Sequence, residues 1–267
     1  MLRATFNLSV VPFTKNIAST DLFHHQQFDD MLKRLRFLFD NRGIGLFTGE
    51  VGSGKSTCVR TACDGLSTQT HKVVYIHRGL DNVGALYTQL ALQLGLIPKF
   101  RRSDVATQAL SAIAELFHQQ KVNTVIVVDE AHLLKPDILD EIRLIHNSRF
   151  DSADCLATAL VGQPPLKKII DLNRFLPLKQ RLCVSAHLAA LSREQSYLYF
   201  DHQLAMAKSN VKIFMDNAIE TIITAAKGIP RIINTVALKA MNDAASNKMT
   251  IVDQEGVMRV LGELGLN

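Results

Sequence analysis

The sequence predicts an α/β fold, a parallel sheet flanked by helices, followed by a small all-helical domain. Three observations carry this. The stretch Gly49-Glu50-Val51-Gly52-Ser53-Gly54-Lys55-Ser56-Thr57 fits G-x-x-x-x-G-K-[ST], the phosphate-binding loop or Walker A motif. It stands between an apolar run, Ile44–Thr48, that reads as a buried strand, and Cys58–Cys63, which can continue a helix. Downstream, the apolar run Thr124–Val128 ends in two carboxylates, Asp129 and Glu130. Continuous apolar runs of this kind are strands buried on both faces of a parallel sheet. After Leu191 the chain changes to helix start and stop signals, which sets a boundary near residue 190.

These residue types dictate the chemistry of the loop. Glycines let the backbone turn tightly and bring its N–H groups close to a polyphosphate. The helix that follows turns its positive end toward the same anion. Lys55 can reach the β- and γ-phosphates, and the Ser56 hydroxyl suits Mg²⁺. Ligands of parallel sheets sit at the carboxyl ends of the strands. Asp129 is therefore placed to hold Mg²⁺, directly or through water, and Glu130 to polarise the water that attacks the γ-phosphate.

Each element follows from local signals. Residues 1–20 are irregular, and Phe6, Val10, Val11, Pro12 and Phe13 are expected to pack on the main domain. A helix is expected from Asp21, with Phe28, Met31, Leu32, Leu35, Leu38 and Phe39 on one face. Lys33, Arg34 and Arg36 form the other face, a solvated surface or a DNA contact. Lys72–Ile76 reads as a strand, Val83–Leu94 as a helix stopped by Gly95 and Pro98, and Asp104–His118 as an amphipathic helix. Between those helices, Lys99, Phe100, Arg101 and Arg102 form a loop that either holds a phosphate backbone or is a solvated turn. Pro136 to about Asn147 is a helix and Leu156–Val161 another apolar strand, with Gln163 at its tip either facing the γ-phosphate or serving as a plain turn residue. A short helix, Leu166–Asp171, and a last strand from Leu182 complete the α/β part. In the helical part, Ser192-x-x-Gln195 is a capping box, Asp216 and Asp253 are expected caps, and Pro230 opens a helix.

With 267 residues and a net charge of +5 spread along the chain, a sizeable core and a weak lean toward an anionic partner follow. No apolar run approaches the length of a membrane span, and Met1–Thr5 lacks a signal-peptide stretch. The four cysteines have neither C-x-x-C nor zinc spacing, which suggests reduced core thiols in a cytoplasmic protein.

The constellation resembles the AAA+ ATPases over nearly the whole length. Gly49–Thr57 looks like Walker A, Val125–Glu130 like Walker B, and Gln163 holds the place of sensor 1. Gly228-Ile229-Pro230-Arg231 looks like the sensor 2 motif, in which the arginine contacts the γ-phosphate. Leu178-Lys179-Gln180-Arg181-Leu182 resembles the segment that offers an arginine finger to a neighbouring subunit, which implies Arg181 for that role and Arg174 as second choice. Phe6-Asn7-Leu8-Ser9-Val10-Val11-Pro12-Phe13 looks like the "F-G-L-x-x-x-P-F" opening of ExeA-type ATPases, with Asn7 in place of the glycine. Ala159–Leu166 looks like their "LVGQPEL" stretch. That group includes the ATP-dependent transposition helpers of the TnsC, TniB, MuB and IstB circle.

The resemblance implies an AAA+ α/β domain over residues 1–190, with an N-terminal extension 1–40, and a helical lid over 191–267. It implies ATP and Mg²⁺ as ligands and assembly as a ring or filament on duplex DNA without sequence preference. It also implies recruitment of a transposase, with or without a target-selection protein. Arg78, Lys99, Arg101 and Arg102 are the candidate DNA contacts. The absence of a membrane span favours the transposition helpers over an ExeA-like secretion ATPase, with a nucleotide-switched helicase-loader-type adaptor as a further alternative.

Overall fold

The computed structural model describes residues 2–14, 17–77, 80–146 and 155–266. Helix α1 (Leu2–Thr5) is followed by a 3₁₀ turn at Ser19–Asp21 and by α2 (Gln26–Asn41). Then come β1 (Gly43–Gly49), α3 (Lys55–Asp64), β2 (His71–Ile76), α4 (Val83–Gln93) and α5 (Arg102–His118). Next are β3 (Asn123–Val128), α6 (Pro136–Ile145), β4 (Leu156–Gly162), α7 (Pro165–Ile170), α8 (Leu176–Lys179) and β5 (Leu182–Leu188). The chain ends in α9 (Arg193–Ala207), α10 (Asp216–Ala226), α11 (Pro230–Ser246) and α12 (Gln254–Leu264). These elements form two compact units. One comprises Gln26–Gly49 with Lys55–Leu188; the other comprises Met1–His25, Glu50–Gly54 and Ala189–Asn267.

The first unit is the α/β one. Its five strands are all parallel, in the order β2-β3-β4-β1-β5. Every residue of β1 and β4 is buried, as is all of β3 beyond Asn123, so the continuous apolar runs are the three central strands. The strand with the tandem carboxylates lies between β2 and β4, which aligns Tyr75 of β2 with Val127 and Leu160 of β4 with Val128. Helix α2 buries the six apolar residues that its spacing predicts. It starts at Gln26 rather than at Asp21, because Ser19–Asp21 closes a separate 3₁₀ turn and Leu22 leaves it extended. Arg34, expected on a solvated face, donates to the Ser185 carbonyl of edge strand β5 at 2.5 Å.

The second unit has its own apolar core. Helix α9 opens with the expected capping box: Ser192 accepts from the Gln195 N–H, and the Gln195 side chain accepts from the Ser192 N–H. Asp253 caps α12 by accepting from the Gly256 N–H at 2.8 Å. Asp216 does not cap α10: Met215 holds that position, and Asp216 is the first helical residue, paired with Lys212 at 2.8 Å. The N-terminal stretch, expected on the α/β domain, packs here instead. Phe6 and Phe13 are buried, and Phe13 lies 4.9 Å from Phe200 and 6.0 Å from Phe214 between ring centroids. Val10 stays half-exposed. Asn7 has φ 49°, in the left-handed region that glycine and asparagine enter most readily.

Candidate active site

The phosphate loop begins where β1 ends. Gly52 and Gly54 hold φ of 82° and 104°, conformations that strain any other residue. A Cβ on Gly52 would lie 2.7 Å from the Cβ of Arg231, and the Arg231 N–H donates to the Gly52 carbonyl at 3.3 Å. The tip of Walker A and the first turn of α11 are therefore in backbone contact, while the Arg231 side chain remains exposed. Gly228, two residues before Pro230, has φ 77° and no room for a side chain: a Cβ there would meet the Leu191 carbonyl oxygen at 2.1 Å.

Past the loop, the buried Lys55 places its ammonium 2.7 Å from the Gly49 carbonyl. The Ser56 Oγ donates to Asp129 Oδ2 at 3.1 Å, which joins Walker A to the end of β3. Asp129 accepts twice more, from the Tyr75 hydroxyl on Oδ2 at 2.6 Å and from the Glu130 N–H on Oδ1 at 2.9 Å. Its carboxylate is held by donors on both oxygens. Burial, and next the hydrogen bond to Asp129, raise the Tyr75 pKa well above that of an ordinary phenol, so the hydroxyl stays a donor. Tyr75 is itself fixed by Gln93 of α4, which accepts from its N–H at 2.8 Å and donates to its carbonyl at 2.6 Å, closing the free edge of β2.

Glu130 sits at φ 53°, a left-handed conformation for a non-glycine residue. Such strain persists where the surroundings impose it. Here it starts the 3₁₀ turn Ala131–Leu133 and puts His132 Nδ1 3.4 Å from Glu130 Oε2. The same Nδ1 lies 3.5 Å from the backbone nitrogen of Gln163, at the tip of β4.

This geometry fits a triphosphate and a divalent cation. The Ser53 hydroxyl is buried without a protein partner, and Ser56 and Asp129 present a hydroxyl and a carboxylate side by side. Among the sequence-predicted residues, the structure thus brings together Lys55, Ser56, Asp129 and Glu130, with Gln163 reached through His132. Arg181 is half-buried and donates to the Arg143 carbonyl at 3.5 Å. Arg174, the second choice for a finger, is engaged within the chain by Asp137 at 3.1 Å and Asp140 at 3.2 Å. Lys99 and Arg101 are exposed in the connection between α4 and α5, beside Ile97 and Phe100, which are 89% and 104% exposed. Arg102 starts α5, and Arg78 lies outside the described residues. Tyr75 and His132 escaped the sequence reading. An aromatic near the end of one strand and a histidine two residues past a carboxylate carry no signal until the strand order is known.

Residues 29–170, more than half of the chain, match the family described as AAA domain. The chain belongs to that family. It has the P-loop NTPase fold of the AAA+ ATPases. It is 29% identical over 244 residues to general secretion pathway protein A of Aeromonas hydrophila, covering 88% of this chain and 43% of that protein. The chain therefore spans less than half of that relative. Among solved structures, Cdc6p of Pyrobaculum aerophilum superposes with a TM-score of 0.71 at 17% identity, over 98% of this chain and 70% of the other. The ORC1 protein of Aeropyrum pernix, solved in complex with DNA, gives 0.70 at 16% identity, over 92% and 67%. The RuvB Holliday junction branch migration motor of Thermotoga maritima gives 0.57 at 16%, over 90% and 70%. At these identities the AAA+ proteins share the fold.

Proposed function

We propose that this AAA+ protein is a Mg²⁺-dependent ATPase that assembles on duplex DNA in its ATP state and directs a transposase to that DNA. The hydrogen bond between Ser56 and Asp129 carries the hydrolytic part, because it joins the loop that would bind the triphosphate to the carboxylates that would act on it. Ser56 and Asp129 would hold Mg²⁺, which when bound supplies charge neutralisation of the phosphates. Glu130 would accept the proton of the attacking water, Lys55 would contact the β- and γ-phosphates, and Gln163 and Arg231 would read the γ-phosphate. Arg181 would complete a neighbour's site. Release of phosphate would dissolve the assembly.

Support for DNA as the partner comes from the exposed Lys99 and Arg101, the net charge of +5, and the fold shared with a protein solved in complex with DNA. Binding would be to phosphates, hence steeply salt-dependent and indifferent to sequence. The N-terminal and Ala159–Leu166 stretches resemble the ExeA-type group, and the transposition role rests on the transposition helpers that this group includes. In that role the protein would act in the cytoplasm; among the described residues no helix is long and apolar enough to cross a membrane.

The identity with general secretion pathway protein A favours a second reading, an ATPase module serving a secretion or envelope-assembly machine. Negative-stain imaging on linear duplex DNA, with ATP, with a slowly hydrolysed analogue and without nucleotide, separates the two. The first reading predicts nucleotide-dependent rings or filaments on DNA at low salt. Indifference to DNA, together with capture of a membrane partner, would replace it with the second.

A further inference from the structure

We propose that His132 is a positioning residue for Glu130, and that its Nδ1 exchanges between the Glu130 carboxylate and the Gln163 N–H. The proposal rests on the reading of Glu130 as the group that polarises the attacking water. The ring is only 11% exposed, while Glu130 is 47% exposed. Nδ1 lies 3.4 Å from Glu130 Oε2 and 3.5 Å from the Gln163 nitrogen, so one atom stands almost midway between two partners. Those partners demand opposite states of it. A carboxylate accepts and needs a hydrogen on Nδ1; a backbone N–H donates and needs the lone pair there. Both distances are at the long end of hydrogen bonding, and a small rotation of the ring shortens one as it lengthens the other.

The surroundings hold the ring at this junction. The left-handed Glu130 starts the 3₁₀ turn that carries His132. Gly162, the last residue of β4, leaves the space: a Cβ there would stand 3.2 Å from the His132 nitrogen and 3.4 Å from Nδ1. The tip of β4 and the carboxylate after β3 therefore communicate through one imidazole. When the tip donates to Nδ1, the ring hydrogen sits on Nε2 and Glu130 is left unheld; when the tip moves away, that hydrogen returns to Nδ1 by exchange with water, and the ring donates to Glu130 and sets its carboxylate for the attacking water. A displacement of Gln163 by a bound phosphate would be passed to Glu130 in this way. This is a discrete two-state element between two sites.

The test compares steady-state ATP hydrolysis, nucleotide affinity and thermal midpoint of the full chain, with Mg²⁺, in the presence and absence of duplex DNA. His132→Phe keeps the ring volume and removes both nitrogens; His132→Gln keeps a donor and an acceptor. We expect His132→Phe to lower kcat about tenfold, with KM and nucleotide affinity within about twofold of wild type and an unchanged thermal midpoint. His132→Gln is expected to recover most of that loss. In a Glu130→Gln background, His132→Phe is expected to cost nothing further, since residues acting as one unit are non-additive. Wild-type kcat in His132→Phe, a parallel loss of KM and thermal midpoint, or multiplicative losses in the double variant would overturn the proposal. Wild-type turnover in Glu130→Gln alone would overturn the reading of Glu130 and the proposal with it.

Discussion

Tyr75→Phe removes a single hydroxyl from the site and leaves the ring. The lost hydrogen bond is short, 2.6 Å, and its acceptor is the carboxylate that also takes the Ser56 hydroxyl. Hydrogen bonds to charged groups contribute about 1.5–3 kcal/mol, and partial exposure of Tyr75 reduces this to about 1 kcal/mol. The carboxylate is not released, because the Glu130 N–H still holds Oδ1. What is lost is the orientation of Oδ2, the oxygen shared with Ser56. Removal of such outer partners typically costs 10–100-fold in metal affinity, and with two of three donors intact the lower end applies. Titration of ATPase rate with Mg²⁺ at fixed saturating ATP is the assay. The half-saturating Mg²⁺ concentration is expected to rise about tenfold, with maximal kcat within about threefold of wild type. An unchanged Mg²⁺ titration would refute the role of Tyr75 in holding Asp129. A fall in maximal kcat with no change in the titration would place Tyr75 in the chemical step instead.

Three further outcomes are expected. Gly228→Ala would force a Cβ to 2.1 Å from the Leu191 carbonyl at a φ of 77° and break the Leu191–Gly228 backbone hydrogen bond of 2.8 Å. The loss is expected to be about 3 kcal/mol, read by denaturant unfolding; a loss below about 1 kcal/mol would mean that the close approach is not maintained in solution. Burial pushes the thiol pKa of Cys58 up to about 12 and that of Cys63 up to about 11, so both stay protonated at pH 8. An aromatic disulfide reagent at that pH should therefore modify the exposed Cys183 first and reach Cys58 only on unfolding. Lys99→Ala with Arg101→Ala should weaken duplex DNA binding and lower the slope of log affinity against log salt by about 2, measured by fluorescence anisotropy; an unchanged slope would move the DNA surface elsewhere.

The parts legible in the sequence are those whose physics is local. The phosphate loop needs its glycines and its lysine at fixed spacing. A strand buried on both faces needs an unbroken apolar run, as in Thr124–Val128. A helix start needs a cap, as at Ser192 and Asp253. What escaped depends on neighbours distant in the chain. Tyr75 meets Asp129 only because β2 pairs with β3, and His132 meets Gln163 only because β4 lies on the other side. The apolar pattern of Phe6 and Phe13 says that they are buried but not against what; their partners, Phe200 and Phe214, lie some two hundred residues on. The acceptors that engage Arg34 and Arg174, Ser185 for one and Asp137 and Asp140 for the other, lie on other elements and leave no mark near them in the chain.

If Glu130 acts in turnover alone, binding and hydrolysis at this site are separable. Glu130→Gln beside wild type, with ATP affinity and ATP turnover measured on the same preparation, tests this most directly. We expect affinity to change by less than about threefold and turnover to fall by at least about a hundredfold, because the amide keeps the shape and loses the base. Turnover close to wild type, or a loss of nucleotide binding in step with turnover, would contradict the assignment of Glu130 and the site built around it.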